Sequence, residues 1–326
     1  MRAKKRLAAF GLALALAILP ALSATAQDKF PNKPIRMLVP FSAGSTTDLV
    51  GRMIGQKMAE RWGQPVLVEN RPSAGGIVAS SVVAGAAPDG YTLLFHGGAF
   101  AVSASLYPKL PYDTLRDFAG ISQASSTPHV VVVAPSLKIR SIKELVALAR
   151  QKPGRITFGS AGIGSANHMS AELFKSVAGI DVIHVPYKGP PEALTDTLTG
   201  RIHYSMSGMA PALPYIKDGR LLALAMTAPQ RSPTLPDVPT VAESGFPGFE
   251  YDGWLGLWAP ARTPKPILNQ LSNEVRRIVD LPDFRERLRN QGMTPRSSTP
   301  EEFDKFVHAE VEKMARLVKS SGARAE

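Results

Sequence analysis

Two stretches of this chain repeat one arrangement of small and hydroxylated residues. Val39-Pro40-Phe41-Ser42-Ala43-Gly44-Ser45-Thr46-Thr47-Asp48 ends an apolar run and opens a helical one. In the second half, Thr157-Phe158-Gly159-Ser160-Ala161-Gly162-Ile163-Gly164-Ser165-Ala166-Asn167-His168 does the same. Each is a strand, then Ser-Ala-Gly with further hydroxyls, then a helix start. The chemistry this suits is anion binding. The first turn of a helix carries free N–H groups and about half a positive charge. Glycine lets the backbone come close, and hydroxyls donate without adding negative charge. One such loop alone reads as a tight βα turn with a Ser or Thr cap. Two related loops, one in each half, favour a carboxylate held from both sides of a cleft. Phosphate suits the pattern less well, because neither loop continues into Gly-Lys-Ser/Thr, and Gly162-x-Gly164-x-x-Asn167 lacks the third glycine of a dinucleotide fingerprint.

Catalytic signatures are missing from the sequence. There is no Gly-x-Ser-x-Gly elbow and no Ser-x-x-Lys pair. The chain has no cysteine nucleophile, and its six histidines show no close metal-ligand spacing. No cofactor or metal is expected. His184 and His203 lie in strand patterns and read as core or edge residues. His168, just inside the helix beside the second loop, is placed at the cleft, and His96, before Gly97-Gly98 at a strand end, is a weaker candidate there.

The elements that must position these loops alternate strand and helix. Strands are expected at 35–39, 66–68 and 91–95, with helices over 47–61 and from Gly75-Gly76 to about Ala86. The pattern restarts with a strand at 130–134 and a helix from Ser141 to Arg150, Glu144 completing a capping box. Strands at 156–158, 182–185, 202–206 and 221–225 follow, with helices over 166–178 and 191–198. In the helix over 166–178, Met169, Leu173, Phe174 and Val177 are expected to face inward. After a proline-rich loop, 229–247, come a strand at 253–259 and helices over 264–279, 282–291 and 300–319, with prolines at first-turn positions. Such alternation predicts parallel sheets covered by helices. The tail is expected to return over the first half, so the chain crosses between halves near 122–128 and near 249–253. This gives lobe 1 as 27–124 plus 250–326, and lobe 2 as 125–249.

At 326 residues with 44% hydrophobic content, the chain suits two α/β lobes. Arg2, Lys4, Lys5 and Arg6 precede an apolar run over 7–19, Pro20 breaks it, and Ala24-Thr25-Ala26 offers small residues for a peptidase. This is the layout of a secretory signal peptide, residues 1–26, cleaved after Ala26. The absence of cysteine excludes disulfides and a lipid anchor on cysteine. The net charge of +11 is spread among acids without a dense basic stripe, which argues against nucleic acid as partner.

The residues also resemble a known family, the substrate-binding receptors of tripartite tricarboxylate transporters (TctC-like or Bug receptors). Val39-Pro40-Phe41 through Thr47-Asp48 carries the resemblance, with Glu69-Asn70-Arg71-Pro72, Gly75-Gly76 and Ala87-Pro88-Asp89-Gly90-Tyr91-Thr92-Leu93-Leu94. So do Gly162-x-Gly164-Ser165 with His168, His184-Val185-Pro186-Tyr187-Lys188-Gly189, Leu235-Pro236-Asp237-Val238-Pro239-Thr240 and Gly253-Trp254-x-Gly256. The resemblance implies a two-lobed periplasmic-binding-protein (flytrap) α/β fold, each lobe a mostly parallel sheet flanked by helices. It implies a periplasmic monomer that does no chemistry on its small carboxylate ligand and delivers it to integral membrane subunits, without inserting in the membrane itself. Carried over by position, Ser42, Ala43, Gly44, Thr46 and Thr47 bind from the first loop, with Asp48 shaping the helix start. Gly164, Ser165, Ala166 and Asn167 bind from the second, Phe41 walls the pocket, and Tyr187 and Lys188 lie near the cleft on the second lobe; His96 and Gly97 are the candidates at the first-lobe strand end. Three positions depart from the family pattern: Ser45 replaces a common glycine, Glu192 a common proline and His96 a small residue. A secreted α/β enzyme acting on an organic acid, or a ligand-presenting accessory of a membrane sensor, are the alternative readings.

Overall fold

Three parallel strands start the fold, in a computed structural model that describes residues 30–325. β1 (Ile35–Val39) lies between β2 (Val66–Asn70) and β3 (Thr92–Gly97). The helices α1 (Thr46–Trp62), α2 (Ile77–Ala84) and α3 (Ala99–Leu106) follow these strands. Helices pack on both faces of β1, which is why it reads as a continuous apolar run with four of its five residues buried. The second half repeats the plan: β5 (Ile156–Ser160) lies between β6 (Val182–Pro186) and β7 (Tyr204–Gly208), all parallel. Here α4 (Ile142–Gln151), α5 (Ala166–Ala178), α6 (Pro190–Leu198) and α7 (Met209–Lys217) supply the cover.

The two halves meet on one long strand. β4 (Phe118–Val133) pairs antiparallel with β9 (Asp252–Pro260) from Phe118 to Pro128. From His129 to Val133 it pairs instead with β7 and with β8 (Leu222–Met226). β9 also pairs antiparallel with β3, and a short β10 (Thr294–Pro295) pairs with β4. The fold is the two-lobed α/β class expected, but each sheet is mixed: its outer strands are parallel and the strands next to β4 antiparallel. From Lys33 onward the chain forms one contact unit.

Several expectations are corrected. The segment 118–129 is a strand that the sequence does not announce, because its Ser and Thr side chains are buried and so show no polar-apolar alternation: Ser122, Ser125, Ser126 and Thr127 are all buried. α3 goes unseen in the sequence because nearly all its residues are buried, so it has no polar face. α7 is hidden by Pro211 and Pro214; the first falls in the opening turn, where a missing N–H costs no helical bond. Val177 of α5 points to solvent rather than inward. The tail helices α8 (Lys265–Asp280), α9 (Pro282–Asn290) and α10 (Pro300–Ser321) form as expected. α10 packs on α3 and β4 and also reaches α5, with Phe303 seated where Gly256 of β9 has no side chain. The expected leader and its cleavage point lie outside the described residues.

Candidate functional site

The two loops have one geometry. Ser45 and Ser165 cap α1 and α5 with the same backbone angles, φ −66° and ψ 157°. Each caps the third helical amide: Asp48 N donates to Ser45 Oγ at 3.2 Å and His168 N to Ser165 Oγ at 3.2 Å. Each of those third residues reaches back. Gly44 N donates to Asp48 Oδ2 at 2.9 Å, and Gly164 N donates to His168 Nδ1 at 3.3 Å. Both glycines sit in the left-handed region, φ 80° and 76°, which a side chain would strain. Burial pushes the Asp48 carboxyl up, but bonds from Arg52, Gly44 and Asn70 outweigh it and hold it below the usual carboxylate range. Burial holds His168 down at about 4, so it is a neutral ring accepting at Nδ1.

An α-helix leaves its first four amides without helical acceptors. The cap amides here bond within their own loops, Ser45 to Ser42 O and Ser165 to Gly162 O. The third helical amides are capped as above. What remains in each loop is the first and second helical amide: Thr46 and Thr47 on one side, Ala166 and Asn167 on the other. All four residues line one cleft.

Three more helices begin there. Gly98 starts α3, Pro190 starts α6 and Gly208 starts α7, each lining the same cleft. All five helices follow the carboxyl ends of parallel strands, the edge where ligands bind in open α/β sheets. Phe41, Trp254 and Leu255 form an apolar wall, the Trp254 indole N–H being turned away to Glu310 Oε2 at 2.8 Å. No Lys, Arg, Asp or Glu lines the cleft, whose free volume is about 40 Å³. Five positive helix ends around a cleft with no charged side chain make an anion seat built largely from backbone, although Pro190 and Pro191 leave α6 without amides in its first two positions. Among the described residues no cluster of His, Asp and Glu could hold a metal ion, and no helix is long and apolar enough to cross a membrane.

Of the residues singled out in the sequence, Phe41, Thr46, Thr47, Gly97, Ala166 and Asn167 line the cleft. The others serve its frame. The amides of Gly44 and Gly164 are taken by Asp48 and His168, while Ser165 caps its helix and Ala43 is exposed. Gly164 instead packs on Leu106 and Tyr107, where Tyr107 Oη donates to Ile163 O at 2.9 Å. Ser42 Oγ donates to Glu192 Oε2 at 2.9 Å, tying the first loop to α6. His96 is fully buried behind the cleft: Gly97 N donates to its Nδ1 at 2.7 Å, and Nε2 lies 3.3 Å from Gly75 O. It fills the space beside Gly76, and burial pulls its pKa down to about 3. Tyr187 donates to Asp196 Oδ2 at 2.7 Å and Lys188 is exposed, so neither reaches the cleft. The sequence reading missed His129, Thr127 and Gly208, and it quoted Trp254 without a role. Their signal is positional: Thr127 and His129 sit where β4 passes from one sheet to the other.

Comparisons with known proteins agree with this architecture. The family model for TctC, described as the tripartite tricarboxylate transporter family receptor, matches residues 50–323. Protein BugT of Bordetella pertussis is 34% identical over 326 residues, covering 99% of this chain and 99% of its own. A structure of R. palustris Rpa4515 with adipate superposes with a TM-score of 0.88 at 31% identity, covering 90% of this chain and 99% of that one. MatC from Rhodopseudomonas palustris with bound malate gives a TM-score of 0.84 at 32% identity, covering 89% and 100%.

Proposed function

Because the chain belongs to the tripartite tricarboxylate transporter receptor family, we propose that it is a periplasmic receptor that closes on a small carboxylate and presents it to integral membrane transporter subunits. The observation that supports this reading is the matched pair of helix starts, whose first two helical residues, Thr46 and Thr47 on one side and Ala166 and Asn167 on the other, line one cleft. A carboxylate seated there meets donors from both halves, so binding favours the closed arrangement. The structural relatives with adipate and with bound malate support the ligand class.

On this reading the lobes are 27–124 with 250–326, and 125–249, hinged where β4 changes sheet. The leader is removed after Ala26, and the mature chain works as a monomer without inserting in the membrane. On this reading the protein holds its ligand and does no chemistry on it. The test is to denature freshly purified protein, identify released small molecules by mass spectrometry, and titrate candidates by calorimetry. A carboxylate that binds and is recovered unchanged after long incubation is expected. If no carboxylate binds or stabilises the protein, the reading fails.

A further inference from the structure

Two residues that line the cleft carry buried polar atoms that the protein leaves unmet. Thr46 Oγ1 and His129 Nδ1 are buried without a partner, in side chains only 8% and 5% exposed. Both flank Gly208. A Cβ at Gly208 would collide with Thr46 Oγ1, and Gly208 is the register partner of His129 across β4 and β7. The His129 ring stacks on Tyr251, with centroids 5.6 Å apart, and its Nε2 edge lies beside Gly253, another cleft residue. The strand backbone does not depend on the ring: His129 N donates to Thr227 Oγ1, and Thr227 N donates to His129 O. Leaving buried polar atoms without partners is costly, so such a pair in a ligand cleft reads as a waiting site.

We propose that Thr46 and His129 form a neutral subsite for a second oxygen of the ligand, so that the cleft takes hydroxy-, oxo- or dicarboxylates and rejects amino acids. This rests on the carboxylate-receptor reading. One end of the ligand uses the free helix amides, and the other meets the hydroxyl and the imidazole. Burial holds the imidazole at about 4, so it is uncharged and acts as a hydrogen-bonding group. An ammonium group has nothing to balance it. No acid lines the cleft, and five helix starts oppose a cation. The nearby carboxylates have other work: Asp48 bonds Gly44, Arg52 and Asn70, Glu192 bonds Ser42, Asp252 bonds Ser126, and Glu310 bonds Trp254.

Calorimetry with matched sets tests this: propionate, lactate and alanine, then succinate, malate and aspartate. The full mature chain is used, alongside Thr46→Val and His129→Phe, two variants that keep shape and remove the polar atom. In the set that binds, the hydroxy acid is expected to bind at least about tenfold tighter than the amino acid. Either variant should erase the advantage of lactate over propionate and should weaken succinate and malate by about tenfold, because each loses a partner for its second oxygen. An amino acid binding as well as its hydroxy partner overturns this inference and leaves the receptor reading intact. So does a hydroxyl advantage that survives in both variants. If no member of either set binds, the inference fails, and the receptor reading fails with it only if no other carboxylate binds or stabilises the protein.

Discussion

Gly208 shows how little space the cleft has at the scale of one atom. Its backbone, φ −57° and ψ 148°, is one that any residue can adopt, so Gly208→Ala strains nothing locally. The added methyl would collide with Thr46 Oγ1 and push that hydroxyl from its place. Affinity should fall about tenfold by calorimetry, the worth of one well-placed hydrogen bond, with little change in melting temperature. Unchanged affinity would remove Thr46 from the binding account. The histidines make a second prediction at this scale. Burial lowers His96 and His184 to about 3 and His129 and His168 to about 4, from the ordinary 6.5. The ring centroids of His168 and His184 lie 4.2 Å apart, so charge on both is especially disfavoured. A base whose folded pKa is depressed binds fewer protons folded than unfolded. Its contribution to stability is therefore full above pH 6.5 and lost as pH falls toward 4, at up to about 1.4 kcal/mol per pH unit for each ring. Thermal melts should fall steeply from pH 7 to pH 4.5, and His168→Asn should flatten the slope. A flat profile would mean the rings are not held neutral.

At the scale of the element, each helix start serves two ends, a cap for the helix and a seat for an anion. Thr47→Asp separates them. A carboxylate in the first turn favours the helix dipole, so stability should stay within about 0.5 kcal/mol. The same carboxylate occupies the anion seat, so ligand affinity should drop at least about a hundredfold. Loss of both together in denaturant titration and calorimetry would show that Thr47 matters for folding alone. The helix starts were also the part of the site most legible in the sequence. Ser45 and Ser165 announce caps by type and spacing, and Gly44 and Gly164 announce left-handed turns. What could not be read was which amides the loops keep for themselves. That Asp48 and His168 play the same part is visible only in three dimensions, because a carboxylate and an imidazole share no sequence signature, only the ability to accept one bond. His168 and His96 were placed at the cleft by their neighbours in sequence, whereas burial made them frame. Thr127 and His129 stayed hidden because Ser and Thr buried between strands look like loop. Strand and helix order, by contrast, followed from apolar runs and prolines, and failed chiefly where α3 has no polar face.

Across the whole molecule, the question is what holds two lobes shut on a ligand contributing few contacts of its own. Two bonds span the cleft region: Tyr107 Oη to Ile163 O, and Ser42 Oγ to Glu192 Oε2. The first ties a side chain to backbone. The second joins the first loop to the opening turn of α6, where an acid also suits the helix end. Its partners crowd closely, since any side chain at Gly189 would collide with Ser42 Oγ. Glu192 touches no ligand on this arrangement, so its effect on affinity must come through the balance of open and closed forms. A bond of this kind, half-buried and accepting with charge, is worth roughly 1 kcal/mol, so Glu192→Ala should weaken ligand binding about fivefold. Small-angle scattering of the ligand-free variant should show a larger radius of gyration than the parent, and added ligand should bring the two together. Glu192→Gln keeps an acceptor oxygen and should restore most of the closed population. If neither variant weakens binding and the ligand-free dimensions stay unchanged, Glu192 is no clasp between lobes; a rise in affinity in both alanine and glutamine variants would mean instead that its negative charge opposes the anionic ligand.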